Sequence, residues 1–286
     1  MVIDFHTHPI MIKELIAEDP TLLPAIERVF GFHFPAQPLS IFIKEMDEAG
    51  VDKAVLLPLD CSSRFNCTVV SNEQVSQLCE KSGRFIGFAS IDPCQDGALH
   101  QLERAVRDLG LVGIKLNPAL QGFFPNDRNA AYPVYQLCAE LDIPVIIHCG
   151  LSWAPAGKSH YANPLFLEEV AQDFPNLRLI VGHFGWPWVN EALILGLKYP
   201  NVYLDTAILY SGTPAQIYQK VFAEQIGLKV IERSLHNKVL FGSDYPRVDI
   251  RRSMRAVKNL ELPEDLEKKI LGLNALNVLS MEEGGR

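Results

Sequence analysis

Val2-Ile3-Asp4-Phe5-His6-Thr7-His8 opens the chain as a short β-branched and aromatic run that ends in two histidines. Such a run reads as a strand carrying polar side chains to its C-terminal end. The same form returns at Lys53–Leu57, Arg84–Ala89, Val112–Leu116, Pro144–His148, Leu177–His183, Val202–Asp205 and Lys238–Ser243. Between these runs lie longer amphipathic stretches, at 41–49, 72–82, 98–109, 135–141, 165–173 and 187–199. A long helical region precedes the eighth strand, and two more helices, at 250–259 and 263–279, finish the chain. Gly50, Gly83 and Gly110 stand just past helical stretches, where a left-handed stop is common. Strands alternating with helices predict a parallel sheet, and eight such units predict a single-domain α/β (β/α)8 TIM barrel over 1–286. A doubly wound open sheet is the alternative, but it usually has fewer strands and a glycine-rich first turn. Neither G-x-G-x-x-G nor a Walker A motif occurs.

The 286 residues are 48% hydrophobic and 21% charged, a globular balance able to bury a sizeable core. With 26 basic and 34 acidic residues the net charge is −8, which argues against nucleic acid as partner. No apolar run approaches the length of about 18 residues that a membrane span needs. Met1-Val2-Ile3-Asp4 lacks a secretory pattern, so the expected location is cytoplasmic. Six cysteines with no C-x-x-C pair predict free thiols. The expected partner is a small-molecule substrate, with a homodimer through the outer helices or the extra loop left open. One segment breaks the short-loop pattern: residues 9–40 form a long insertion after strand one, read as an active-site lid or pocket wall.

In a barrel of this kind the C-terminal strand ends converge on one face, where active sites lie. His6, His8, Lys115, His148, His183, Asp205 and Asp244 all stand at such ends. His6 and His8 are two apart on a strand, so both imidazoles reach one side, with Asp4 expected beside them. Taken singly, His148 and His183 read as core histidines and Asp244 as a helix cap. Taken together, the four histidines and Asp244 make a nitrogen and oxygen set suited to zinc.

Asp4-Phe5-His6-Thr7-His8, His148, Gly182-His183-Phe184-Gly185 and Gly242-Ser243-Asp244-Tyr245-Pro246 resemble motifs of the amidohydrolase superfamily. They are similar above all to the branch that includes aminocarboxymuconate semialdehyde decarboxylase, resorcylate decarboxylases and certain lactonases, and Asn274-Ala275 fits that branch's last helix. The resemblance implies one divalent metal, zinc first and manganese second, on His6, His8, His148 and Asp244. It implies His183 and Asp244 as catalytic residues, His183 polarising substrate or shuttling a proton. Such a metal lowers the pKa of its water to about 7.

Other branches of the superfamily carry a carbamylated lysine on strand four, where this chain has Lys115. Its alternatives are a substrate contact or an ion pair with an interior carboxylate such as Asp205. Arg247, three residues after Asp244, and Trp153 after strand five are further candidate substrate contacts; an arginine suits a carboxylate. The expected activity is metal-dependent hydrolysis of an ester, lactone or amide, with non-oxidative decarboxylation of a small aromatic or unsaturated acid as the alternative. A metal-dependent nuclease fits less well, because such enzymes resemble this chain at His-x-His but carry a glutamate where Lys115 stands. A barrel that binds metal or ligand without turnover is the non-enzymatic reading.

Overall fold

The computed structural model describes residues 1–31, 33, 35–207 and 212–282. Phe32 and Phe34 in the expected 9–40 insertion, and 208–211 after the seventh strand, lie outside the described residues. The barrel strands are β1 (Ile3–Thr7), β2 (Lys53–Leu56), β3 in two pieces (Phe85–Gly87 and Ala89–Ser90), β4 (Ile114–Leu116), β5 (Val145–Ile147), β6 (Leu179–Val181), β7 (Val202–Asp205) and β8 (Val239–Leu240). Neighbours pair in parallel from β1 through to β8. The ring closes where β8 returns to β1. Phe5 N donates to the Phe241 carbonyl at 2.8 Å, Asp244 N to the His6 carbonyl at 2.8 Å, and His8 N to the Tyr245 carbonyl at 2.7 Å.

Alternation along each strand sorts side chains into two layers. Ile3, Phe5, Val55, Leu57, Ile86, Phe88, Ile146, Ile180 and Leu240 fill the barrel interior, and Leu276 and Leu279 of the C-terminal segment pack onto them. Leu56, Ile114, Val145, Val181 and Leu204 face the surrounding helices. Most helices fall within a few residues of expectation. The helix Asn72–Lys81 starts with a capping box between Ser71 and Gln74, and Leu39–Ala49 stops at Gly50, whose φ is 71°.

Three local features differ from the sequence reading. Pro187 does not open a helix: the next one runs Val189–Lys198 with Trp188 at its N-cap. An antiparallel pair, Leu59–Asp60 with Thr68–Val69, sits above β2. The third lies inside β1. Asp4 pairs with Ala54 and Thr7 with Leu56, so three steps on β1 match two on β2. This bulge reverses the alternation between Asp4 and His6.

Between β1 and the helix Leu39–Ala49, residues Lys13–Glu18 and Leu22–Phe30 are helical. The second buries Leu22, Ala25, Ile26 and Val29, while its last residue, Phe30, lines the cavity at the barrel mouth. Among the described residues no helix is long and apolar enough to cross a membrane.

Candidate metal centre and active site

The bulge in β1 places His6 toward the barrel axis although Phe5 already faces inward. His6 then fits only because its neighbours are small. A Cβ on Gly242 would stand 2.8 Å from His6 Cβ. Asp4, expected beside His6 and His8, is turned away by the same bulge. Its Oδ1 accepts from Ser243 N at 2.9 Å and from His6 N at 3.2 Å, so it ties β8 to β1 beneath Asp244. Burial raises its carboxyl to about 7, opposed by the hydrogen bonds of Ser243.

His6, His8 and Asp244 bring one ligating atom each to within 4.8 Å of one another. His8 Nε2 lies 3.4 Å and His6 Nε2 3.6 Å from Asp244 Oδ1. The opposite ring nitrogens decide what these atoms offer. His8 Nδ1 contacts the Leu57 carbonyl at 2.9 Å, and a carbonyl only accepts, so the proton is on Nδ1 and Nε2 keeps a lone pair. His6 Nδ1 meets Asp205 Oδ2 at 2.7 Å with the same result.

A similar relay fixes the other two rings. His183 Nδ1 donates to the Ala207 carbonyl at 2.7 Å, which leaves its Nε2 as an acceptor for His148 Nδ1 at 2.9 Å. His148 Nε2 then carries a lone pair in a buried position with no hydrogen-bond partner among the described residues. His148 stands outside the tight group of three, but this orphaned nitrogen lines the same cavity. Burial favours the neutral form of His6, His148 and His183. It pushes His6 and His148 well below the usual imidazole range and lowers His183 to about 3, reinforced by Lys115, His183 and His6 respectively. Burial opposes ionisation of Asp244, yet its imidazole neighbours His8, His183 and His6 outweigh it and hold the carboxyl below its ordinary value. Three imidazole lone pairs and one carboxylate are a donor set that fits a divalent ion.

Asp205 organises this arrangement from β7, a role not foreseen in the sequence. Besides His6, its Oδ1 accepts from His183 N at 2.7 Å and Ala207 N at 3.1 Å. It holds His183 where the backbone is strained: His183 has φ 58° and Asp244 φ 64°, a left-handed region that non-glycine residues seldom occupy. Two site residues in that conformation fit a scaffold that enforces function over local preference.

A cavity lies above these groups. Lys115 lines it from β4; Arg247, Trp153, Asn117, Ser152 and Phe30 surround its upper part. Arg247 Nε lies 3.6 Å from Asp244 Oδ2, and Trp153 is 51% exposed at the rim. Phe30 packs on His8, ring centroids 5.7 Å apart. Of the alternatives for Lys115, a direct ion pair with Asp205 is not made among the described residues: Asp205 bonds to His6 and two backbone N–H groups and acts on Lys115 only through space. Lys115 Nζ instead lies 3.3 Å from His6 Nε2.

Known proteins place this geometry in a family. The Amidohydrolase family model matches residues 3–280. A 2-keto-4-carboxy-3-hexenedioate hydratase from Sphingobium sp. is 30% identical over 167 residues, 51% of this chain but only 47% of that relative. A gamma-resorcylate decarboxylase from Polaromonas sp. is 25% identical over 84% of this chain and 86% of its own length. The solved structure of an uncharacterized TIM-barrel protein from Bordetella bronchiseptica superposes with a TM-score of 0.77, at 25% identity and 98% coverage of both chains. With the match running through every barrel strand and all the histidines and carboxylates of the centre, this chain belongs to the amidohydrolase family.

Proposed function

We propose that this protein is a metal-dependent carboxy-lyase that removes CO₂ from a small aromatic or unsaturated carboxylic acid. The observation that carries the reading is the convergence of His6, His8 and Asp244 under a cavity lined by Lys115 and Arg247. The motifs by themselves rank hydrolysis first. The decarboxylase relative, matched over 84% of the chain, moves decarboxylation ahead. A divalent ion on His6, His8, His148 and Asp244, zinc or manganese, supplies Lewis-acid polarisation of substrate oxygens. Arg247 orients the carboxylate, and Trp153 and Phe30 flank the apolar body of the acid. The C–C bond breaks, its electron pair stays on the ring or alkene carbon, and that carbon takes up a proton from water, with His183 the residue assigned to relay it.

Hydrolysis is the second reading, supported by the position of Asp244 beside His6 and His8, where its carboxylate is placed to accept from an attacking water. The test is to offer metal-loaded protein a panel of hydroxybenzoates and unsaturated acids in ¹⁸O-water. CO₂ released one-for-one, with no ¹⁸O in the organic product, is the expected result. Ester, lactone or amide turnover with ¹⁸O uptake would establish hydrolysis instead. A His183→Asn variant that turns over substrate unchanged would remove that residue from the mechanism.

A further inference from the structure

Lys115 is the most unusual charge in the molecule. Its side chain is 1% exposed, and among the described residues it makes no ion pair with a carboxylate. Its single polar partner there is His6 Nε2. That nitrogen is also the lone pair His6 would give a metal, because Nδ1 is committed to Asp205. One lone pair cannot serve an ammonium and a divalent ion together. The neighbouring carboxylates do not offer Lys115 a replacement: Asp205 is bonded to His6, His183 and Ala207, and Asp244 faces His8 and Arg247. Whatever displaces Lys115 from His6 therefore leaves a buried amine directed into the substrate cavity, where Asp205 and Asp244 act on it only through space and an anionic ligand oxygen would be its direct partner.

We propose that Lys115 anchors an anionic oxygen of the substrate beside the metal centre, its ammonium turned from the His6 nitrogen that a divalent ion would use. The inference rests on the metal-dependent reading above and deepens it, naming the charge that makes the loaded cavity select carboxylates over neutral isosteres. It also sets Lys115 apart from a carbamate, which would be an anion and would strengthen metal binding.

Removing the charge predicts opposite changes for metal and for substrate. In Lys115→Met and Lys115→Gln, zinc affinity, read by competition with a chelating dye, should rise at least about tenfold, because a like charge within a few ångströms is gone. In the same zinc-loaded variants benzoate should bind about tenfold more weakly while its neutral isostere benzamide is unchanged. In the unaltered zinc-loaded protein benzoate must bind at least about tenfold better than benzamide, a requirement independent of how the variants fold. Weaker zinc binding in the variants would overturn the proposal in favour of a liganding role. Unchanged zinc and benzoate affinities, or no benzoate preference in the parent, would overturn it too. A parent that binds no zinc or manganese would defeat the metal-enzyme reading itself, a result distinct from failure of the Lys115 role alone.

Discussion

The two ends of the barrel interior are built from the same eight strands and obey opposite rules. At the bottom, Ile3, Phe5, Val55, Phe88, Ile146, Ile180 and Leu240 form an apolar plug that Leu276 and Leu279 cap. At the top, within a few residues along the same strands, stand His6, Lys115, His148, His183, Asp205 and Asp244, all buried. The plug needs only shape and apolar area. The upper layer needs every polar atom matched, because an unpartnered buried group is costly. The bulge in β1 is the junction, letting Phe5 join the lower layer and His6 the upper one without an intervening outward residue. The difference teaches that stability and chemistry are separable along each strand, and substitutions at the two ends should have separable consequences.

The largest effect belongs to the top. Asp244→Asn or His8→Ala should abolish metal retention and reduce turnover at least about a thousandfold, with the melting temperature of the metal-free protein little changed. Metal content after dialysis and a thermal melt check both halves. The converse comes from the bottom. Phe5→Ala empties a fully buried site packed edge-on against Phe88, centroids 5.6 Å apart, and should cost about 3–5 kcal/mol. Calorimetry should show Tm lower by roughly 10 °C, while metal per folded chain stays as in the parent. A metal content that fell with Phe5→Ala would break the separation.

Asp205→Asn tests the join between the layers and should have a smaller effect. It keeps the side-chain volume but weakens the hold on His6 and the strained His183 backbone, so metal affinity should drop about 10–100-fold. A binding titration reads it directly. The smallest effect concerns acid. His183 is held at about 3 in the fold against 6.5 when unfolded, so between those values the unfolded chain binds more protons. Its contribution to the stability of the metal-free protein is complete above pH 6.5 and is lost as pH falls toward 3. His183→Asn should flatten that acid limb by up to about 1.4 kcal/mol per pH unit in denaturant titrations. An unaltered limb would mean that the ring is not buried neutral.

The eight strands were legible because each is a short β-branched run ended by helix-stop or polar residues, and burial on both faces leaves little room for other patterns. His6, His8 and Asp244 were legible as a group because strand ends in a barrel converge, whatever the loops do. The bulge was not, because a run of five residues looks the same with or without a register shift. It moved Asp4 from the metal's side to a brace under Asp244. The work of Asp205 was hidden for a different reason: its bond to His6 joins residues 199 apart, and no local pattern records such a partner. Phe30 reaches the cavity from the long insertion, whose path depends on tertiary packing, and its contact with His8 has no sequence signal. The pairing of Lys115 with the neutral ring of His6, in place of Asp205, follows from the same competition for a few buried acceptors.

The most direct test of the account is the metal content of the purified protein by elemental analysis, beside a His6→Ala/His8→Ala double variant. The arrangement of His6, His8, His148 and Asp244 predicts about one zinc or manganese per chain, lost in the variant. About two ions per chain would contradict the single centre and return Lys115 to a bridging carbamate, and none after reconstitution would contradict the catalytic reading as a whole.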